Sequence, residues 1–507
     1  MNRTSTSRAM PLTGIATALA LLTTGCAVDG EGGAAAHGSD TGEPLRVGAV
    51  EAAGQTVDDP HGSLFNESDW LRLSALYDTL IGVDTAGDPA PGIAEEWTAS
   101  DDATTWTLTL RDDAVFSDGV PVTSADVMHS LERMDALSAE NGQRLGTVSV
   151  GESSAPDDHT VVLSTTMPDA DLPRTLAGSA FIVPDGTEDF SDPIGSGPFN
   201  LTARADQGAE LERNGEWWGS EERVDALEIR GFESPQAMSS AIESAEIDIA
   251  MGVDPTTAAA AAEEFTVVQR ENETTTPLLM RLDEEPFDSP EVREAVKIGL
   301  DREELVETVH LGYGTVGADL PQPADPSAPD LQAPERDVDR ARDLLAGAGV
   351  DEDTTVDLHT TSAYPSMPVA AEAIAEQLGE IGLSVEVVEH DPQTYWSETY
   401  TQVPFSIGYN AYMPYPVWAR QTALSTSAFN ETGWQDELFD EDFARALATV
   451  DEAERNEILG ELQTRFAEEG GLVAWGHGDG LSIVRDGVEG VSDAAGMARV
   501  RLVGVTR

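Results

Sequence analysis

Strand-like and helix-like segments alternate along this chain, and that alternation restricts its fold more than any other feature. In the first half, LEIRGF (227–232) precedes a helix start at Ser234-Pro235, and IDIAM (247–251) follows. In the second half, TVDLHTT (355–361) and LSVEVVE (383–389) flank a helical pattern. Both sets are strand–helix–strand units, which predict an α/β architecture.

Further elements in the first half support this prediction. Apolar residues alternate in LRVGAVE (45–51) and in TTWTLTLRDD (104–113), as in half-buried strands. Thr123 and Asp126 have the spacing of a capping box, so we expect a helix to begin there.

The chain is too long for a single hydrophobic core, because it has 507 residues. Its 40% hydrophobic and 24% charged residues are typical of a folded globular protein. We detect no short-period repeat of the solenoid or propeller kind. Two α/β lobes are therefore the expected architecture.

The first 25 residues have the features of a secretory signal peptide. Arg3 and Arg8 precede a mostly apolar stretch, residues 10–22, and small residues lead from it to Cys26. The stretch contains Pro11, Gly14 and several threonines, which disfavours the alternative of a membrane-spanning helix.

Cys26 is the single cysteine of the chain, so no disulfide can form within it. The sequence Leu22-Thr23-Thr24-Gly25-Cys26 resembles a bacterial lipobox, with Thr23 in place of the usual Leu. We expect a signal peptide at residues 1–25, followed by a lipidated N-terminus and flexible tether at residues 26–43. Cleavage without lipidation is the alternative.

Acidic residues outnumber basic ones by 94 to 28, which gives a net charge of −66. Such a surface repels phosphate backbones and anionic head groups, so a nucleic-acid-binding protein is excluded. Lys297 is the only lysine. We interpret most of this charge as a solvated acidic shell.

Catalytic motifs do not explain this chain. Gly312, Gly314 and Gly317 match GxGxxG, but a helix precedes them and a proline-rich loop follows, so we expect a mobile turn. GxSxG, HExxH and CxxC do not occur. The histidines lack ligand spacing, so we expect no metal site and no cofactor; they include His61, His129, His359, His390 and His477.

Several segments together carry a resemblance to a known family. They are residues 76–134 (LYDTLIG…SLERM), PIGSGPF (193–199), NGEWWG (214–219), AIESAEIDIA (241–250) and SPEVREAVKIGLDREELVETVHLGYG (289–314). The chain resembles the extracellular solute-binding proteins of ABC importers, in the peptide, oligopeptide and nickel family. The resemblance covers nearly the whole chain after the tether.

The resemblance implies a two-lobe periplasmic-binding-protein-like fold with a hinge and an interlobe ligand cleft. Lobe one would comprise residues 44–275 and a return segment, residues 476–507, and lobe two residues 276–475. It also implies a monomeric, lipid-anchored protein, not an enzyme, on the outer face of the cytoplasmic membrane. That protein would deliver a small solute, with a short peptide or peptide-like compound expected, to a membrane permease. The alternatives are a secreted hydrolase of peptides or polysaccharides and a sensing or chaperoning protein of the same fold.

Residues 399–430 contain no Asp or Glu, and we call them the acid-free segment. The segment is rich in aromatic residues and proline, which suits an apolar ligand pocket. A buried core strand and loop is the alternative, because core segments also exclude acids. We expect ligand contacts from Tyr409, Tyr412, Tyr415, Trp418 and Arg420 of this segment and from nearby Trp396.

In peptide-binding relatives the matching segment usually carries an Asp that pairs with the ligand's α-amino group. MPYPVW (413–418) has none. This departure argues against ordinary di- and oligopeptides as ligands.

Overall fold

A computed structural model of the chain describes residues 42–51, 56–64, 66–138, 144–205, 207–221, 223–350 and 354–507. The predicted signal peptide at residues 1–25, the predicted lipid site at Cys26 and nearly all of the predicted tether lie outside this range. None of the helices in the described ranges is both long enough and apolar enough to cross a bilayer.

The described residues form strands of two to ten residues. In chain order they are β1 (Leu45–Val50), β2 (Ile81–Val83), β3 (Pro89–Pro91), β4 (Ala94–Ala99), β5 (Thr105–Leu110), β6 (Val148–Asp157), β7 (Thr160–Thr165), β8 (Phe199–Ala205), β9 (Gly208–Arg213), β10 (Ala226–Phe232), β11 (Ile249–Val253), β12 (Thr266–Thr275), β13 (Leu278–Met280), β14 (Gly314–Val316), β15 (Thr355–Thr361), β16 (Ser384–His390), β17 (Phe405–Ile407), β18 (Asn410–Ala411), β19 (Leu472–Val473) and β20 (Gly476–Val484).

The helices of the described residues alternate with these strands. They are α1 (Glu67–Leu76), α2 (Ser124–Ala136), α3 (Leu172–Leu176), α4 (Pro235–Glu243), α5 (Pro255–Ala261), α6 (Pro290–Gly299), α7 (Arg302–His310), α8 (Val338–Gly347), α9 (Ser366–Glu380), α10 (Pro392–Thr394), α11 (Tyr415–Thr422), α12 (Glu437–Leu447) and α13 (Glu452–Glu469), with a π-helical turn at Tyr395–Thr399 and a 3-10 helix at Gly496–Val500.

The largest sheet belongs to lobe one. Its strand order is β18-β12-β20-β11-β1-β10-β9-β8, and β14 also pairs with β20. Strand β1 is parallel to both β10 and β11, as the first strand–helix–strand prediction requires. The Ser234 side chain accepts a hydrogen bond from the Ala237 backbone N–H and so begins α4.

A second layer of lobe one is a four-stranded antiparallel sheet within the described residues, β4-β5-β7-β6. Trp106 and Leu108 of β5 face a buried apolar core that also contains Val127 and Leu131 of α2. The predicted capping box is confirmed, because the Thr123 backbone N–H donates to the Asp126 carboxylate at 2.7 Å.

Lobe two is built on a separate sheet of order β16-β15-β17-β13-β19. Strands β15 and β16 are parallel and are connected by α9, which confirms the second strand–helix–strand prediction. One core lies between this sheet and α6, α7 and α9, and a second core joins α11, α12 and α13.

Two of the connections between the two sheets lie side by side. Strand β12 ends at Thr275 and β13 begins at Leu278, while β19 ends at Val473 and β20 begins at Gly476. The Trp475 indole N–H donates to the Thr276 carbonyl oxygen at 2.8 Å and so ties the two crossings together.

Two short strands of lobe two also join the sheet of lobe one. Strand β14 pairs with β20, and β18 pairs with β12. The expected mobile turn around Gly314 and Gly317 is therefore corrected. A Cβ at Gly314 would lie 2.4 Å from the His477 carbonyl oxygen, so glycine permits the close approach of these strands.

Candidate ligand-binding site at the joint between the lobes

The joint between the lobes positions two tyrosines of the acid-free segment. Strand β17 belongs to the sheet of lobe two, and β18, three residues later, belongs to the sheet of lobe one. Tyr409 and Tyr412 flank β18, and the Tyr412 backbone N–H donates to the Glu273 carbonyl oxygen at 2.8 Å. The sheet change therefore holds both tyrosines where the lobes meet.

Tyr409 forms a parallel stack with Tyr364. The ring centroids are 3.5 Å apart and the ring planes differ by 5°. Tyr364 is 40% exposed, whereas Tyr409 is partly buried. Burial raises the pKa of the Tyr409 hydroxyl, and the neighbouring Tyr364 raises it further. The stack therefore offers one open aromatic ring on a fixed partner.

An ion cluster of lobe one lies beside Tyr409. The Arg499 Nε atom donates to the Glu67 Oε1 atom at 3.0 Å and lies 3.8 Å from the Glu273 Oε1 atom. Burial raises the pKa of the Glu273 carboxyl, while Arg499 and Arg270 lower it. The charges within this cluster largely satisfy one another.

Tyr412 packs against the return segment of lobe one. A Cβ at Gly496 would lie 2.9 Å from the Tyr412 ring, and Gly496 has a φ of +73°. Glycine is therefore required there for both space and backbone conformation. Burial raises the pKa of the Tyr412 hydroxyl, and Asp325 raises it further while Arg174 lowers it.

An interlobe cavity of about 490 Å³ opens close to Tyr412, and Arg174 is one of its wall residues. Lobe one contributes Asp88, Trp97, Trp106, Asp171 and Arg174 to its wall, and lobe two contributes Val450, Glu452 and Arg455. A volume of this size is within the range of pockets that hold small solutes. The cavity has an aromatic surface on one lobe and charged groups from both.

The wall of this cavity carries more acidic than basic side chains. Arg174 donates to Asp88 at 2.9 Å and lies 4.0 Å from Glu452. The Asp171 Oδ1 atom lies 3.6 Å from an Arg455 guanidinium nitrogen and 3.8 Å from the Arg174 Nε atom. Burial raises the pKa of the Asp171 carboxyl to about 7. The wall thus carries three carboxylates against two guanidinium groups.

Residues 88–431 match the family model of the bacterial extracellular solute-binding proteins, family 5. This is two thirds of the chain. The chain belongs to that family.

The solute-binding protein is similar to the glutathione-binding protein GsiB of Salmonella typhimurium, with 25% identity over 415 residues that cover 77% of this chain and 80% of that protein. The corresponding protein of Escherichia coli O157:H7 is 24% identical, with coverages of 76% and 80%. This chain is a substrate-binding protein of the ABC importer class, and the alternative of a hydrolase is not supported.

Solved structures show the same two-lobe fold. CtaP of Listeria monocytogenes matches with a TM-score of 0.79 and 19% identity, covering 92% of this chain and 99% of that one. DppA of Helicobacter pylori in complex with the peptide STSA matches with a TM-score of 0.71 and 18% identity, covering 91% and 98%. NikZ of Campylobacter jejuni in complex with Ni(L-His) matches with a TM-score of 0.71 and 17% identity, covering 89% and 96%.

Two of the expected ligand contacts belong to a core of the solute-binding protein. Tyr415 and Trp418 are 0% and 1% exposed. The Trp418 ring lies 5.8 Å from that of Tyr415 and 5.4 Å, edge-on, from Phe466 of α13. The structure corrects this expectation, because one face of α11 is covered by the neighbouring helix.

Arg420 and Trp396 have other partners in the solute-binding protein. The Arg420 guanidinium donates to the Asp169 carboxylate of lobe one at 3.1 Å, so it forms an ion pair between the lobes. Trp396 lies on the π-helical turn with 37% exposure, and its ring contacts those of Tyr395 and Tyr400. All of the expected ligand contacts lie in the described part of the chain. Of these residues, only Tyr409 and Tyr412 lie together at the joint.

The charged cavity residues were not found from the sequence. Asp171 lies in an ordinary stretch, MPDADLPRT (167–175), of a chain with 94 acidic residues. No local pattern separates a buried carboxylate from a solvated one. Among the described residues, no group of three or more His, Cys, Asp or Glu side chains is placed to hold a metal ion.

Proposed function

We propose that this solute-binding protein captures a peptide-like solute between its lobes and delivers it to an ABC permease without chemical change. The ligand would occupy the interlobe cavity and extend from it towards the joint, where Tyr409, Tyr412 and the open ring of Tyr364 would contact it. The observation that carries the proposal is the joint, where two crossings and two short strands connect the sheets next to a cavity lined by both lobes.

The proposed motion is a hinge closure of residues 276–475 against residues 44–275 and 476–507. The two crossings are two residues long each, at 276–277 and 474–475, so a small change in backbone angles at them would move a whole lobe. A ligand favours closure only by the free energy with which it prefers the closed form.

The proposed ligand class follows from the cavity and the relatives together. The two sequence relatives are named for glutathione binding. DppA occurs with the peptide STSA, and NikZ occurs with a nickel–histidine complex. A cavity of about 490 Å³ with aromatic walls and paired charges suits a short peptide or a modified peptide.

The test is a ligand screen with thermal unfolding and native mass spectrometry as readouts. Glutathione, the peptide STSA and Ni(L-His) are the first probes. A bound ligand at a hundred times its dissociation constant stabilises the protein by about 2.7 kcal/mol, and the mass of the recovered ligand is unchanged. The proposal fails if no probe raises the melting temperature and the purified protein carries no small molecule, or if probes are recovered cleaved.

We also propose that the protein is a monomer held through lipid on Cys26 to the outer face of the cytoplasmic membrane. The support is the lipobox-like sequence before Cys26 and the family's extracellular location. Cys26→Ser is expected to release the protein into the medium. An intact mass showing a soluble wild-type protein without lipid would contradict this proposal.

A further inference from the structure

Asp171 has features that ion pairing alone does not explain. The residue is 7% exposed, lines the interlobe cavity and precedes α3, yet its side chain makes no capping hydrogen bond to that helix. Within the described ranges, the Asp171 Oδ2 atom is buried and has no hydrogen-bond partner. Such a group is costly unless another molecule satisfies it.

The surrounding charges favour a cation as that partner. The cavity wall carries Asp88, Asp171 and Glu452 against Arg174 and Arg455, which leaves one negative charge in excess once Asp171 is ionised. A fourth carboxylate, Asp325, lies close enough to raise the pKa of Asp171. An added anion would increase this imbalance, whereas an added cation would cancel it.

Aromatic groups complete the site. Trp97 and Trp106 line the same cavity, and indole faces attract cations. Tyr412 lies near enough for Asp325, Arg174, Asp88 and Asp171 to shift the pKa of its hydroxyl. A charged amine with a short apolar chain would therefore find both a carboxylate and aromatic contact.

We propose that Asp171 binds a protonated amino group of the ligand, so that this cavity selects solutes that carry a free amine. The inference rests on the proposed function. It places the recognition of the amine on lobe one and outside the acid-free segment.

The titration of Asp171 supplies a signature that a purely structural carboxylate would lack. The groups that act on it are the burying environment, Arg174 of α3, Arg455 of α13, Asp325 and Asp169. The pKa of the Asp171 carboxyl is about 7 in the protein without ligand. A cation binds only the ionised form of this carboxyl. Affinity for the amine is therefore expected to rise by about tenfold between about pH 5.5 and pH 7, where an α-amine stays protonated.

The experiment compares free-amine and N-acetylated forms of glutathione and of the peptide STSA by calorimetry on the full mature protein. Wild type is expected to bind the free amine about ten- to a hundredfold more tightly than the acetylated form. Asp171→Asn is expected to lose that preference and the pH dependence while keeping its melting temperature. Asp112→Asn, at an exposed position of lobe one outside the cavity wall, is the matched control and is expected to keep both properties.

The outcomes separate the two proposals. Equal binding of free and acetylated probes by wild type, or a preference that survives in Asp171→Asn, overturns the role of Asp171 and leaves the proposed function intact. If Asp171→Asn does not fold, Asp171→Glu serves instead and is expected to retain the preference with altered affinity; loss of the pH dependence in this variant also overturns the role. Failure of every probe to bind wild type overturns the proposed ligand class and this inference with it.

Discussion

The acid-free segment and the wall of the interlobe cavity differ in composition, and the position of each is the reverse of what its composition suggests. The middle of the segment without acids is buried, and the wall that carries acids lines a cavity. Residues 399–430 carry no acid, and the aromatic side chains Tyr415 and Trp418 lie in a core. The cavity wall carries Asp88, Asp171 and Glu452 beside its aromatic residues. In the middle of the acid-free segment, the lack of acids therefore reflects burial against protein, whereas the wall of the proposed ligand cavity retains charge.

Trp418→Ala gives the largest expected effect, because it tests whether the middle of the acid-free segment is core. Truncation of a fully buried tryptophan is expected to lower the free energy of unfolding by about 3–5 kcal/mol. Ligand affinity, measured below the melting temperature, is expected to stay the same. Urea unfolding followed by circular dichroism measures the first quantity.

The matched control is Phe429→Ala, since Phe429 lies in the same segment with 60% exposure. It is expected to leave stability nearly unchanged. If Trp418→Ala instead unfolds like wild type and loses ligand, Trp418 belongs to the ligand surface and the comparison breaks down.

The fold could be predicted because its signals are local. Periods of two and of 3.6 residues mark β5 and α9 without knowledge of the rest of the chain. Strands β14 and β18 have three and two residues, too few to show a period, and they form only because β20 and β12 lie beside them.

The site could be predicted only in part for a related reason. Aromatic composition identified the region of Tyr409 and Tyr412 but did not separate these residues from Tyr415 and Trp418. The difference depends on which face of α11 meets α13, and that is decided by tertiary packing. Asp171 carries no mark in the sequence, because no local pattern separates a buried carboxylate from a solvated one.

Glu431, the first acid after the acid-free segment, offers a test through pH. It is 4% exposed, its carboxylate accepts a hydrogen bond from the Tyr400 hydroxyl, and burial raises its pKa to about 7. The unfolded chain has the ordinary value of 4.5, so the folded state holds the proton more tightly. Its contribution to stability is therefore full below that value and is lost as pH rises through about 7.

Glu431→Gln is expected to remove this dependence. From about pH 4.5 to 7.5 the unfolding free energy of wild type should fall relative to the variant by on the order of 2–3 kcal/mol. The difference between the two proteins cancels the opposite contributions of buried histidines such as His310, whose pKa is lowered by burial. Parallel curves for the two proteins would show that Glu431 is ionised in the folded state.

Arg420 tests the boundary between the two regions, because it extends from the acid-free segment to buried Asp169 of lobe one. A double-mutant cycle of Arg420→Ala and Asp169→Ala is expected to give a coupling of about 1–3 kcal/mol in unfolding free energy. The Thr147 hydroxyl and the Asp171 backbone N–H also donate to Asp169, so Asp169→Ala alone affects three partners. Absence of coupling, together with loss of ligand in Arg420→Ala alone, would return Arg420 to the ligand surface.

Tyr364→Ala gives the smallest expected effect and tests the open aromatic stack at the joint. The variant removes the exposed member of the stack with Tyr409, so the probes bound by wild type should lose about 1 kcal/mol of affinity, or about fivefold. The melting temperature is expected to change little, since Tyr364 is 40% exposed.

Trp396→Ala, at 37% exposure on the π-helical turn, is the matched comparison, because both rings lie partly open on lobe two. A loss of affinity in Tyr364→Ala alone places the ligand at the joint, and a loss in Trp396→Ala alone moves it to the π-helical turn. Equal affinity in both variants and wild type would remove aromatic stacking on lobe two from the site, leaving the charged wall of lobe one as the principal ligand surface.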